Sequence, residues 1–151
     1  MIKILFICHG NICRSPMAEF VMKDLVKKAG AEDRFEIASA AVSREELGNP
    51  VYPPARQKLA EHGLSCSGKR ARQVTKQDYH DYDFLICMDH SNLRWLKQII
   101  GEDTLGKVSL LMEHAGMRRD VADPWYTGDF DATWDDVNTG CTALLAELQG
   151  K

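Results

Sequence analysis

Ile4-Leu5-Phe6-Ile7-Cys8-His9-Gly10-Asn11-Ile12-Cys13-Arg14-Ser15-Pro16 joins an apolar run to two cysteines and an arginine set into one tight turn. Residues 2–7 are apolar at nearly every position, the pattern of a strand covered on both faces, as in a parallel sheet. After the turn, Met17, Phe20, Val21 and Leu25 fall on one helical stripe, with Pro16 suited to the first turn and Gly30 to the stop. Strand, loop and helix in that order put residues 8–15 beyond the carboxyl end of a strand, where open α/β sheets bind their ligands.

The same alternation continues down the chain. Residues 35–41 read as a second strand, 53–62 as a helix ending at Gly63, and 84–88 as a third strand. A helix over 91–100, a fourth strand over 108–111 and a loop from 112 to about 130 follow. In the last helix Trp134, Val137, Cys141, Leu144, Leu145 and Leu148 recur every three or four residues. The pattern predicts an α/β fold: a single open, four-stranded parallel sheet with helices on both faces and a phosphate-binding loop after the first strand. With 151 residues, 44% of them apolar, one domain spanning 1–151 is expected.

Composition narrows the function. A net charge of −3 provides no general basic field, so nucleic acid is not an expected partner. Five cysteines, without a Cys-x-x-Cys pair, suggest neither a disulfide framework nor a zinc site and fit a reducing cytoplasm. The N-terminal apolar run is too short for a signal peptide, and nothing downstream approaches a span of ~18 apolar residues, so a soluble protein off the membrane is expected. The five histidines have no metal-ligand spacing and read as surface or core residues; neither metal nor cofactor is expected. Asp129, Asp131, Asp135 and Asp136 read as a solvated helix start, and Lys69-Arg70-Ala71-Arg72 as an exposed charged turn.

The chemistry concentrates in the first loop. A cysteine, five residues and an arginine set a thiol and a guanidinium at the two ends of a curl. The amides of His9, Gly10, Asn11, Ile12 and Cys13, continued by Arg14 and Ser15 at the helix start, can then converge on an oxyanion. Arg14 adds a planar fork that matches two phosphate oxygens, and Gly10 and Asn11 tolerate the left-handed backbone a tight curl needs. A thiol so placed falls from about 8.5 into a range of roughly 3.5 to 7.5, with Ser15 able to donate to the sulfur, which makes Cys8 a nucleophile at neutral pH. Read without its setting, the spacing means only a buried cysteine and a surface arginine. The preceding strand and the following Ser-Pro favour function.

Displacing an alkoxide or aryl oxide from phosphorus also needs a proton donor, worth ~10² to 10⁴ in rate. Asp123-Pro124-Trp125-Tyr126 offers one: Pro124 stiffens the loop after Asp123, and Trp125 and Tyr126 suit the walls of a slot for a flat ring. An Asp-Pro pair alone is a turn signal.

Residues Phe6 to Glu19 resemble, at nearly every position, the signature of the low-molecular-weight protein tyrosine phosphatases. The likeness extends thinly through Ser39-Ala40, Gly48-Asn49-Pro50, His62-Gly63, Ala71-Arg72-Gln73 and residues 87–93, and ends at residues 123–126. It implies that Cys8 attacks phosphorus, Arg14 binds the phosphoryl oxygens, and Asp123 protonates the phenolate and then activates water against the cysteinyl phosphate. It also implies that Asn11, Ser15 and Ser39 hold the loop in shape, that Trp125 and Tyr126 form an aromatic wall, and that Cys13 closes a reversible disulfide with Cys8 against over-oxidation. The implied partner is a phosphotyrosine protein or peptide, and the expected state a monomer, with weak dimerisation as the other state open to it.

The chain departs from the family at three places. The wall opposite the Asp-Pro loop, usually Trp or Tyr, falls in residues 42–47, where Glu45 stands with Arg44 beside it; this predicts a weaker grip on the phenyl ring and a preference for basic flanking residues. A loop-supporting histidine falls at Lys69, and an Asp-x-Arg pattern is replaced around Tyr52-Pro53-Pro54. Two other functions compete. A thiol-dependent arsenate reductase needs a cysteine relay, yet Cys66 and Cys87 lie 21 residues apart and neither has a cysteine seven residues after it. A silent phosphate-binding module is disfavoured by Cys8, Arg14 and Asp123 standing together. Relatives acting on phosphoarginine tend to carry Thr where this chain has Ile12, which points to phosphotyrosine.

Overall fold

Strand β1 (Ile2–Cys8) takes the centre of the sheet because both of its faces are apolar: Ile4, Phe6 and Cys8 enter one core, Leu5 and Ile7 the other. A computed structural model describes residues 1–150. Strands β2 (Phe35–Ala41), β3 (Phe84–Cys87) and β4 (Val108–Leu110) complete a four-stranded sheet of order β2-β1-β3-β4. Every pairing is parallel, with Cys8 opposite Ala41 on one side of β1 and Ile7 opposite Cys87 on the other. This is the expected α/β architecture.

Helices α1 (Arg14–Lys28) and α6 (Phe130–Gln149) pack on one face, where Met17, Met22, Val137, Cys141 and Leu144 share a core with Phe6. Helix α2 (Pro53–Glu61) joins them through Ala55 and Leu59. Helices α3 (Lys76–Asp81) and α4 (His90–Ile100) cover the other face, contributing Tyr79 and Leu96. The chain leaves β1 for β2 on one side and later returns to β3 on the other, which opens a crevice at the carboxyl end of β1.

Several elements differ from the sequence reading. Helix α3 was not expected; it is only 6 residues long and is held by a capping box in which Thr75 Oγ1 accepts from the Asp78 N–H and Asp78 accepts from the Thr75 N–H. The stretch read as a loop from 112 to 130 contains a 3₁₀ turn, Leu111–Ala115, and a short helix α5, Pro124–Thr127. Trp134, placed on the core stripe, is only partly buried and stacks on His62 with ring centroids 3.9 Å apart. Gly140 matters more: a Cβ there would lie 2.5 Å from Leu111 Cγ, so the missing side chain is what lets the 3₁₀ turn press against α6.

Two charged stretches are less exposed than their sequence suggests. Asp136 is no solvated residue; it is buried and takes both terminal nitrogens of Arg119. Residues 69–72 are no free turn either, since Ala71 is buried, the Arg72 carbonyl accepts from Ala41 at 2.7 Å, and Gln73 bridges to the end of β2. Both stretches are anchored by tertiary partners far away in sequence, which local charge patterning does not reveal.

Candidate active site

Helix α1 begins without a side-chain cap and without an acidic residue in its first turn, which leaves its leading N–H groups turned towards the loop before it. Within that loop Asn11 has φ 59°, the left-handed conformation expected of it. Gly10, expected to share that conformation, does not; its bare Cα instead leaves room for Glu46, whose Cγ would lie 3.3 Å from an added Cβ.

The curl brings polar groups onto the Cys8 sulfur. The Asn11 N–H donates to Sγ at 3.3 Å, and Ser15 Oγ lies 3.0 Å from it. Asn11 Nδ2 donates to both Ser15 Oγ (2.8 Å) and Ser39 Oγ (2.9 Å), while the Ser39 hydroxyl donates to Glu19 Oε1 (2.5 Å). Asn11 Oδ1 accepts from the Arg72 N–H at 3.2 Å. The direction of this chain follows from its ends: a carboxylate oxygen only accepts, so Ser39 donates to Glu19 and accepts from Asn11. Ser15 likewise accepts from Asn11 and keeps its own proton for the sulfur. Asn11, Ser15 and Ser39 thus sit together as the sequence suggested, and Glu19 adds an end to the chain that the sequence reading missed.

Lys69 extends the support. Its Nζ donates to the Ser39 carbonyl at 2.9 Å and lies 3.6 Å from Glu19 Oε1, so a cation stands against the buried carboxylate. Burial holds the Lys69 ammonium below its usual pKa, and Glu19 works against that shift.

Arg14, only 3% exposed, spans the cleft floor. Nη1 donates to Asp89 Oδ2 (2.8 Å) and the Val121 carbonyl (3.2 Å), and Nη2 to Asp123 Oδ2 (3.3 Å). Burial opposes the guanidinium charge, yet Cys8, Asp123 and Asp89 outweigh it and raise its pKa. Asp89 is a second residue the reading missed, although Asp89-x-x-Asn92 before a helical stretch is a capping signal. Its Oδ1 caps α4 through the Asn92 N–H at 2.7 Å, which leaves Oδ2 for Arg14. Cys13 lines the same floor; burial, then Cys8 and Asp123, push its thiol far up, so it stays protonated.

The walls rise from three loops around a cleft of about 390 Å³. Asp123 caps α5 through the Trp125 N–H at 3.0 Å, and Trp125 and Tyr126 stand exposed at the mouth. Tyr52 backs Trp125 with ring centroids 5.1 Å apart and donates its N–H to the Ile12 carbonyl. Opposite, Glu45 reaches His9 Nε2 at 3.3 Å, and the His9 ring meets Trp95 edge-on. Every residue expected at the site is brought to this one crevice or directly beneath it.

A thiol ringed by donors at a helix start, with a guanidinium and a carboxylate facing it, is the equipment of a cysteine-dependent hydrolase of phosphate esters. The family model for low molecular weight phosphotyrosine protein phosphatases matches residues 3–151. The chain is 39% identical over 151 residues to the low molecular weight protein-tyrosine-phosphatase YfkJ of Bacillus subtilis, covering 99% of this chain and 97% of that one. The crystal structure of YfkJ superposes with a TM-score of 0.95 over 99% of this chain and 96% of that one. A low molecular weight phosphotyrosine protein phosphatase of Gallus gallus is 38% identical, covering 94% and 92% of the two chains. A Drosophila arginine phosphatase shares the fold at a TM-score of 0.89 and 30% identity, over 97% and 98%. The chain belongs to the low molecular weight phosphotyrosine protein phosphatase family, and its activity is that family's cysteine-dependent phosphatase activity.

Proposed function

We infer that this chain, acting as one domain, removes phosphate from phosphotyrosine in proteins and from small aryl phosphates through a phosphocysteine at Cys8. The reading rests above all on the Cys8 sulfur, which faces the Asn11 N–H and the Ser15 hydroxyl at 3.3 and 3.0 Å. The loop amides and the Arg14 fork take the phosphoryl oxygens, where they meet charge that spreads in the transition state. Arg14 turns Nη2 from Asp123 to the substrate while Asp89 and the Val121 carbonyl keep Nη1 in place.

The sulfur then bonds to phosphorus as the bond to the phenolic oxygen breaks, and Asp123, as the acid, gives that oxygen its proton. In the second step the Asp123 carboxylate takes a proton from water, whose oxygen attacks phosphorus and releases the Cys8 thiolate. Trp125 and Tyr126, backed by Tyr52, flank the ring, with Glu45 opposite. Soluble, cytoplasmic and monomeric action belongs to the same reading. No helix among the described residues is long and apolar enough to cross a membrane.

The likeness to a Drosophila arginine phosphatase gives phosphoarginine a place as the competing substrate. Ile12 lines the cleft and speaks for the aryl ester. Wild type, Cys8→Ser and Asp123→Ala, assayed on p-nitrophenyl phosphate and on phosphotyrosine, phosphoserine and phosphoarginine peptides, decide between them. The reading requires turnover of the phosphotyrosine peptide, near-complete loss in Cys8→Ser and a large drop in Asp123→Ala. Faster turnover of the phosphoarginine peptide would reassign the substrate. Arsenate-dependent thiol consumption, or affinity without turnover, would overturn the reading.

A further inference from the structure

Asp123 is the first residue after a stretch of backbone fixed from three directions. Its upstream neighbours carry the fixing, because α5 beyond it is only 4 residues long and exposes Trp125 and Tyr126. Asp120 Oδ1 accepts from the backbone N–H of His90, the first residue of α4, at 3.2 Å, and lies 2.6 Å from its Nδ1. The Val121 N–H donates to the Met88 carbonyl just past β3 at 2.9 Å, and the Val121 carbonyl accepts from Arg14.

The third direction is α6. Asp136, 7% exposed, accepts from Arg119 Nη1 at 2.8 Å and Nη2 at 2.6 Å, and its Oδ2 also accepts from the Ala122 N–H at 3.3 Å. One turn earlier, Thr133 Oγ1 donates to the Ala122 carbonyl at 2.8 Å. Both backbone groups of the residue before Asp123 are therefore held by α6 side chains.

We propose that Asp136 is a positioning residue for the reaction: clasping Arg119 and the Ala122 N–H, it fixes where the Asp123 carboxyl stands over the cleft. This rests on the role given above to Asp123 as proton donor. Without the carboxylate, Arg119 and the Ala122 N–H lose their shared acceptor, and the backbone just before the acid is released. A displacement on the order of 1 Å at a reacting group costs up to about a hundredfold in rate. The cost falls selectively on substrates whose leaving oxygen needs the proton.

That selectivity is the test. Over a series of aryl phosphates from 2,4-dinitrophenyl to phenyl, kcat/KM depends only weakly on the leaving group while the acid is in place, and steeply in Asp123→Asn. The full-length Asp136→Asn variant is expected to lose about tenfold on phenyl phosphate and little on the dinitrophenyl ester. Arg119→Gln removes the more exposed partner, whose side chain is 54% accessible, and shifts the slope in the same sense by less. It carries the test should Asp136→Asn fail to fold. Asp135→Asn, on the exposed side of the same turn, behaves as wild type. An unchanged slope, or an equal loss across the series, in folded clasp variants overturns the proposal while a steep Asp123→Asn slope leaves the acid assignment standing. If Asp123→Asn is itself no steeper than wild type, the acid assignment falls and the clasp's role with it.

Discussion

Arg14 Nη2 donates to Asp123 Oδ2 at 3.3 Å, which pairs across the cleft the cation proposed to grip phosphate with the carboxyl proposed to serve the leaving group. Inorganic phosphate competes with Asp123 for that nitrogen and is repelled by the ionised form of its carboxyl, whereas the substrate is turned over with that carboxyl protonated. Asp123→Asn is therefore expected to bind inorganic phosphate more tightly while kcat falls by ~10² to 10⁴. Competitive inhibition with p-nitrophenyl phosphate as substrate measures both. Weaker phosphate binding in the variant would contradict this pairing.

Lys69 reaches beneath the loop to the Ser39 carbonyl and to the buried Glu19, which it shares with Lys23 at 2.7 Å. Lys69→Met leaves Glu19 with one cation and the Ser39 carbonyl without its donor. A loss of about 1–3 kcal/mol in urea unfolding is expected. Alkylation of Cys8 by iodoacetate should slow with it, because the Glu19-Ser39-Asn11-Ser15 chain orients the proton offered to the sulfur. Unaltered stability together with unaltered alkylation would remove Lys69 from the loop's support.

Glu45 stands 3.3 Å from His9 Nε2 on the wall where the family resemblance implies an aromatic side chain. Glu45→Trp is expected to lower KM for p-nitrophenyl phosphate by supplying a ring face. It should also abolish any advantage of peptides with Arg or Lys beside the phosphotyrosine, an advantage that fades with salt in the wild type. Equal KM values in wild type and variant would remove Glu45 from the substrate wall.

Acid should loosen the fold in a traceable way. Burial works against ionised Asp136, but Arg119 and the Ala122 N–H prevail and hold its pKa below the usual carboxylate value; Asp103 is held down likewise by the Tyr79 hydroxyl and the N–H groups of Val108 and Lys107, against its own burial. A depressed folded-state pKa contributes stability that is complete above the unfolded value of about 3.9 and is lost as pH falls through the folded one. Thermal melts should therefore fall between about pH 5 and pH 2, and Asp103→Asn/Asp136→Asn should fall less over that window. Parallel curves would show that these two carboxylates do not carry the acid sensitivity.

The part of the molecule legible in the sequence is the part whose signals are local. β1 is apolar almost throughout, Pro16 and Gly30 bracket the helix that follows, and the two cysteines and Arg14 sit within one turn, so strand, loop and helix declare themselves together. Asp123 was visible through Pro124 and the aromatic pair. What stayed hidden depends on partners remote in sequence: Asp136 looks like one more helix-start acid until Arg119 and Ala122 fold against it. Asp89 looks like a cap until Arg14, at the start of α1, reaches it across the cleft. Helix α3 escaped notice because 6 residues offer too few turns for a stripe to show. Gly140 has meaning only beside Leu111.

A phosphocysteine at Cys8 is the covalent step on which the proposed reaction turns, and trapping tests it directly. Wild type mixed with a phosphotyrosine peptide, quenched within a turnover and digested, should carry phosphate on the peptide containing Cys8, and Cys8→Ser should carry none. Phosphate on any other side chain, or turnover by Cys8→Ser at the wild-type rate, would contradict the account.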